Sequence, residues 1–143
     1  MTDEERAFID RRLPAARAWR FSEHVLQRSL VRTCKLLRAQ YPHLARLFAV
    51  PNGGQRHKAI AGQMRAEGQQ SGVPDLFLPV PRIGGGRLYH GFWLELKKAG
   101  NAPTAEQWDW LLYLHRAGYA AHVANDPETA RKLLTDYLSL SPP

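Results

Sequence analysis

A chain of 143 residues, 44% apolar and 23% charged, suits one soluble, well-packed domain and excludes both a disordered tail and a membrane-spanning protein. Its single cysteine, Cys34, rules out a disulfide framework and a cysteine-based zinc site. The net charge of +7 points to a polyanionic partner such as nucleic acid, and the whole excess lies in residues 1–72, with 13 basic side chains against 6 acidic, whereas residues 73–143 carry 7 of each.

Arg outnumbers Lys 15 to 5. Guanidinium forks suit phosphate, although a GC-rich coding sequence would give the same bias. The charged N-terminus, Met1 to Arg6, has no apolar stretch behind it, so neither a signal peptide nor an anchor is expected and cytoplasmic residence is the default. Residues 1–21 mix charge with Phe8, Ile9 and Trp19 and are broken by Pro14, which predicts an arm or short helix outside the core. The domain proper is expected over 22–143. From Ser22, an N-cap, apolar groups at helical spacing (Leu26, Leu30, Val31, Cys34, Leu37) predict a helix to about Gln40.

Residues 44–50 predict a short strand running into the turn Pro51, Asn52, Gly53, Gly54. A second helix is expected over 56–67, ended by Gly68. Two strands over 75–80 and 88–97 follow, joined as a hairpin by residues 83–87. Thr104 and Gln107 make a capping box that opens a third helix with Trp108, Leu111, Leu112 and Leu114 on its buried side. A strand over 119–124 and a last helix after Asp126-Pro127 complete the order αβαββαβα, an α/β fold with a central mixed β-sheet flanked by helices.

Chemistry concentrates on the two central strands. Antiparallel neighbours bring the start of one beside the end of the next, so Asp75 and Glu95 converge at one edge of the sheet. Strand alternation puts Glu95 and Lys97 on one face and Leu96 on the other. Two carboxylates and the Leu96 backbone carbonyl are a partial shell for Mg²⁺ or Mn²⁺, with an ammonium beside it to offset charge on a phosphate. By itself, D…ExK is also what a salt-bridged strand pair would show.

The setting of these residues resembles the PD-(D/E)XK nuclease superfamily and its restriction-endonuclease-like core, with Val73-Pro74-Asp75 and Glu95-Leu96-Lys97 as the two motif halves. Taken with Pro51-Asn52-Gly53-Gly54, Gly72 and Gln107, the order and spacing are similar to the VRR-NUC (virus-type replication-repair nuclease) family over about residues 22–125. The resemblance implies a metal-dependent endonuclease acting on branched double-stranded DNA, in small members as a homodimer on Holliday junctions, in a larger one on flaps. It implies no organic cofactor and no membrane. Asp75, Glu95 and the Leu96 carbonyl would hold the metal, Lys97 would be the catalytic lysine, and Gln107 would act from the following helix. Glu23 matches the acidic residue that completes the metal site.

Read from the residues alone, Glu23 is an acidic side chain at a helix N-terminus, favourable to the dipole without any catalytic duty. Gln107 has a sufficient role in the capping box, and a side chain reaching back to Thr104 is not expected to project into a site as well; of the two roles the functional one is favoured, because Glu106 would have offered a stronger cap. Asn52, Gly53 and Gly54 either admit a phosphate to the backbone or simply form a tight turn. Arg56, His57 and Lys58 would offer cations at a helix start, and Arg28, Arg32 and Lys98 would add to a phosphate-binding surface. The other five histidines show no metal-ligand spacing, and Trp93 and Trp108 are expected in the core. A catalytically silent DNA-binding or accessory module of phage replication or recombination would share the basic surface without needing Asp75, Glu95 and Lys97 to converge.

Overall fold

The computed structural model describes residues 1–13, 22–51 and 58–143, the side chain of Lys58 excepted. Helix α1 (Asp3–Arg12) opens on a capping box: Thr2 Oγ1 accepts from the Glu5 N–H (3.1 Å) and Glu5 Oε2 accepts from the Thr2 N–H (2.8 Å). This helix corrects the expectation of a segment outside the core. Phe8 is 1% exposed and packs with Leu111, Leu114, Ala121 and Val123. Arg116 closes the contact from outside on Glu5 (2.8 Å), and the Arg12 guanidinium lies 4.0 Å over the Phe8 ring while its Nε donates to the Ala121 carbonyl.

Helix α2 (Glu23–Leu36) starts as expected, with Ser22 Oγ accepting from the Val25 N–H at 3.3 Å, and buries Leu26, Leu30 and Cys34. It stops four residues early, because the chain tightens into 3₁₀ turns at Leu37–Ala39 and Pro42–Arg46. The expected strand over 44–50 shrinks to β1 (Phe48–Ala49): Leu44 reaches the core from within a 3₁₀ turn that Pro42 initiates. Helix α3 (Lys58–Ala66) ends before Gly68, whose φ is +106°.

The central hairpin is also revised. Strands β2 (Leu76–Leu78) and β5 (Phe92–Leu96) pair antiparallel, but between them β3 (Arg82–Gly84) and β4 (Arg87–Tyr89) form a separate two-stranded ribbon. Pro79 and Pro81 have no N–H to give a ladder, so the long strand cannot continue through them. The ribbon is tied at the far end of the chain: Ile83 and Ser141 exchange backbone hydrogen bonds (2.7 and 3.2 Å), and the Tyr137 hydroxyl donates to the Val80 carbonyl (2.6 Å).

Helix α4 (Ala105–Arg116), strand β6 (Ala120–Ala124) and helix α5 (Pro127–Leu138) complete the chain. The sheet runs β1-β2-β5-β6, antiparallel at its first two joints and parallel at the last. Leu76, Leu78, Phe92, Leu94 and Leu96 pack on one face with residues of α2 and α5, and Trp93, Ala121 and Val123 on the other with α1 and α4. Alternation along β5 therefore assigns Glu95 to the α4 face. Among the described residues no helix is long and apolar enough to cross a membrane.

Candidate active site

The carboxylates meet where β2 begins and β5 ends. The segment leading into β2 needs Gly72, whose φ is +89° and whose missing Cβ would sit 3.0 Å from the Glu106 backbone in the first turn of α4. Close approach of that turn brings Gln107 over the end of β5. Asp75 is anchored twice, its carbonyl accepting from the Val50 N–H (2.8 Å) and its Oδ2 from the Leu96 N–H (2.8 Å). It thereby ties β2 to β1 and to β5.

Glu95 is 2% exposed, and its Oε1 accepts from Gln107 Nε2 at 2.9 Å. Gln107 performs both roles that sequence reasoning held to be exclusive: its Oε1 accepts from the Thr104 N–H (2.8 Å) while its Nε2 reaches Glu95. A primary amide has an acceptor and a donor end, and the capping box uses only the acceptor. Glu95 Oε2 is buried without a hydrogen-bond partner among the described residues.

Electrostatics at this pair run against ionisation. Burial, together with the nearby Glu23 charge, pushes Asp75 up to about 6, against the downward pull of the Leu96 N–H and Lys97. Burial and then the Asp75 charge push Glu95 far above the usual carboxylate range, and the two groups are close enough to share a proton. A bound cation would remove that penalty by taking the proton's place.

The register favours a third oxygen. Carried two residues past Leu76↔Leu94, it sets Pro74 opposite Leu96. The Leu96 N–H turns toward β2, to Asp75, whereas the Lys97 N–H turns to the Ala124 carbonyl on β6 (2.9 Å). The Leu96 carbonyl shares its own N–H's side and faces a proline with no N–H to offer. Among the described residues no three His, Cys, Asp or Glu side chains gather closely enough to hold an ion by themselves. The donor set that fits Mg²⁺ or Mn²⁺ is thus two carboxylates and a carbonyl, the remainder water.

Glu23 is turned to the exit of β5: its Oε1 accepts from the Lys98 N–H (3.2 Å) and lies 4.0 Å from Lys97 Nζ. Lys97 is buried beside the pair, while Lys98, Arg28 and Arg32 are exposed. His24, Gln27 and Arg28 line a cavity of about 490 Å³ at the same end of α2. Asn52, Gly53, Gly54, Arg56 and His57, and the side chain of Lys58, lie outside the described residues. His122 stacks on Phe92 (5.3 Å) and burial holds its ring neutral, with a pKa lowered to about 3. Trp93 and Trp108 pack at the margin of the α1–α4 core. Two polar residues escaped sequence reasoning: the Ser71 hydroxyl donates to Glu106 Oε2 (2.6 Å), fastening the turn before Gly72 to α4. Only their sharing one spatial neighbourhood with Gly72 could have marked them.

No family model and no curated protein matches the sequence. Among solved structures, a VRR_NUC domain protein superposes with a TM-score of 0.69, covering 85% of this chain and 92% of that one at 24% sequence identity. The two share a fold: a mixed central sheet flanked by helices.

Proposed function

We propose that this chain is a VRR-NUC family nuclease of the PD-(D/E)XK type, a divalent-metal-dependent endonuclease that hydrolyses phosphodiester bonds in branched double-stranded DNA, working as a homodimer on four-way junctions. One observation carries the reading: two carboxylates from adjacent strands, the half-buried Asp75 and the buried Glu95, face each other with Gln107 and Lys97 around them, on a fold shared with a VRR_NUC domain protein. No protein donor among the described residues reaches Glu95 Oε2, which leaves that oxygen to a proton shared with Asp75 when the site is empty and to a cation when it is filled.

Mg²⁺ or Mn²⁺ held by Asp75, Glu95 and the Leu96 carbonyl would polarise the scissile phosphate and make an attacking water more acidic. The protein does the rest. Gln107 fixes the direction of the Glu95 carboxylate and is itself fixed by the N-terminus of α4. Lys97, buried and steadied by Glu23, presents a charge that offsets the negative charge growing on the phosphate. Lys98 and Arg28 offer exposed cations near the exit of β5 and the start of α2, and Arg32 a further one along α2, to hold DNA arms in register. Two opposed cuts across a symmetric junction require two such sites, which a homodimer supplies.

The test is cleavage of a labelled four-way junction, a 5′ flap and a linear duplex by wild type and Asp75→Asn, with Mg²⁺, Mn²⁺ or EDTA. Metal-dependent cuts at the branch that vanish in Asp75→Asn are expected. Cleavage by the variant equal to wild type refutes the site, cuts confined to the flap refute the junction-resolving form, and DNA binding without cleavage by either protein gives the function to a silent binding module.

A further inference from the structure

The face of the sheet that carries Asp75 and Glu95 carries a second row one pair further along. Alternation sets Phe77 on the Asp75 side of β2 and Trp93 on the Glu95 side of β5, and the register pairs Phe77 with Trp93 and Phe48 with Phe77. The rings are in contact: Phe77 stacks on Trp93 with centroids 4.3 Å apart and planes at 25°, Phe48 meets Phe77 edge-on at 5.6 Å, and Tyr119 closes the far end at 6.0 Å from Phe77. The Phe77 ring also comes close to Gly91, where a Cβ would meet its Cε2 at 2.8 Å. A glycine there gives the row its low profile.

This row differs from core packing at one end. Trp93 and Tyr119 adjoin the α1–α4 core, but Phe48, on the edge strand, is 50% exposed. Strand geometry puts successive pairs on one face about 7 Å apart and neighbouring strands about 5 Å apart, so Phe48 lies about 8 Å from Asp75. That is the reach of a nucleotide or two. A nucleic acid that runs along this sheet face from the carboxylate pair toward β1 meets this ring, and the net charge of +7 attracts a polyanion to the protein as a whole.

We infer that the Phe48–Phe77–Trp93 row is a stacking platform for an unpaired nucleobase beside the scissile phosphate, with Phe48 as its exposed ring. A base inside a duplex has both faces covered by its neighbours, so an exposed aromatic ring selects bases freed from pairing. The platform thus favours branched DNA in which a base beside the scissile phosphate is unpaired, at a flap or at a junction that opens at its crossover, over continuous duplex. The inference rests on the nuclease reading only for which phosphate is cut, because stacking itself needs no chemistry.

Binding is measured in EDTA, to a fluorescent 15-nucleotide oligo-dT and to a blunt duplex of equal length, for wild type, Phe48→Ala, Phe48→Leu and Phe48→Trp, each shown folded by thermal melting. Phe48→Ala and Phe48→Leu are expected to weaken oligo-dT binding about tenfold or more with duplex binding changed less than about twofold, and Phe48→Trp to restore it. Leu preserves the apolar contact and lacks the ring face. Phe48→Leu binding oligo-dT as tightly as wild type overturns the platform, as does an equal loss on both ligands. Because no cleavage is read, an inactive wild type would refute the nuclease reading and leave this result standing, and the converse holds equally.

Discussion

Replacing Asp75 with Asn should stabilise the metal-free protein while abolishing its activity, a combination that follows from the raised pKa of Asp75. Asn keeps the acceptor for the Leu96 N–H and removes the charge that burial and Glu23 disfavour. The folded-state value of about 6 lies above the ordinary 3.8. The favourable contribution of the protonated form is therefore complete below about pH 4 and is lost as pH rises through about 6. A shift of roughly two units corresponds to about 3 kcal/mol at pH 8, taken as an upper figure because the group retains some solvent contact. For a domain of this size that is a Tm difference of about 5–10 °C. Calorimetry in EDTA from pH 4 to pH 8 should show wild type and variant converging at the acid end and separating above pH 6, with Mg²⁺ raising the Tm of wild type more than that of the variant. A gap that is the same at pH 4 and pH 8, or a variant less stable than wild type at pH 8, would refute the buried-charge account of the site.

Phe8→Ala should cost about 3–5 kcal/mol in chemical denaturation, because the ring is fully enclosed between α1, α4 and β6; a cost below about 1 kcal/mol would mean that α1 is merely appended. Gly72→Ala should cost about 1–3 kcal/mol through its positive φ and should also displace the first turn of α4, so its stability loss should exceed that of Gly68→Ala, a position with a similar φ and open space.

What the sequence disclosed and what it concealed divide along a physical line. Capping signals are local and were readable: Ser22, Thr104 and Asp126 each begin a helix with the side-chain acceptor in place. The convergence of Asp75 and Glu95 was readable because a period-2 pattern and an antiparallel joint fix it without knowledge of the rest of the chain. Phe8 was hidden because α1 is charged almost all round and its two large apolar side chains, Phe8 and Ile9, are adjacent and too few for a periodic signal, yet one buried aromatic residue suffices when a ready-made hollow lies 100 residues away. The ribbon was hidden by the apolar run through 76–81, in which Pro79 and Pro81 decide the outcome by what they lack. The double use of Gln107 depends on atoms at the two ends of one amide, a level of detail that residue types do not encode.

The docking of α1 sets an order of events during synthesis. Its anchor on Ala121 lies 109 residues downstream of Arg12, so this helix is synthesised well before its resting place is made. At about 5–20 residues per second the Phe8 ring waits on the order of 5–20 s before α4 and β6 exist to receive it. Throughout that interval the Phe8 side chain lacks the neighbours that α4 and β6 will supply.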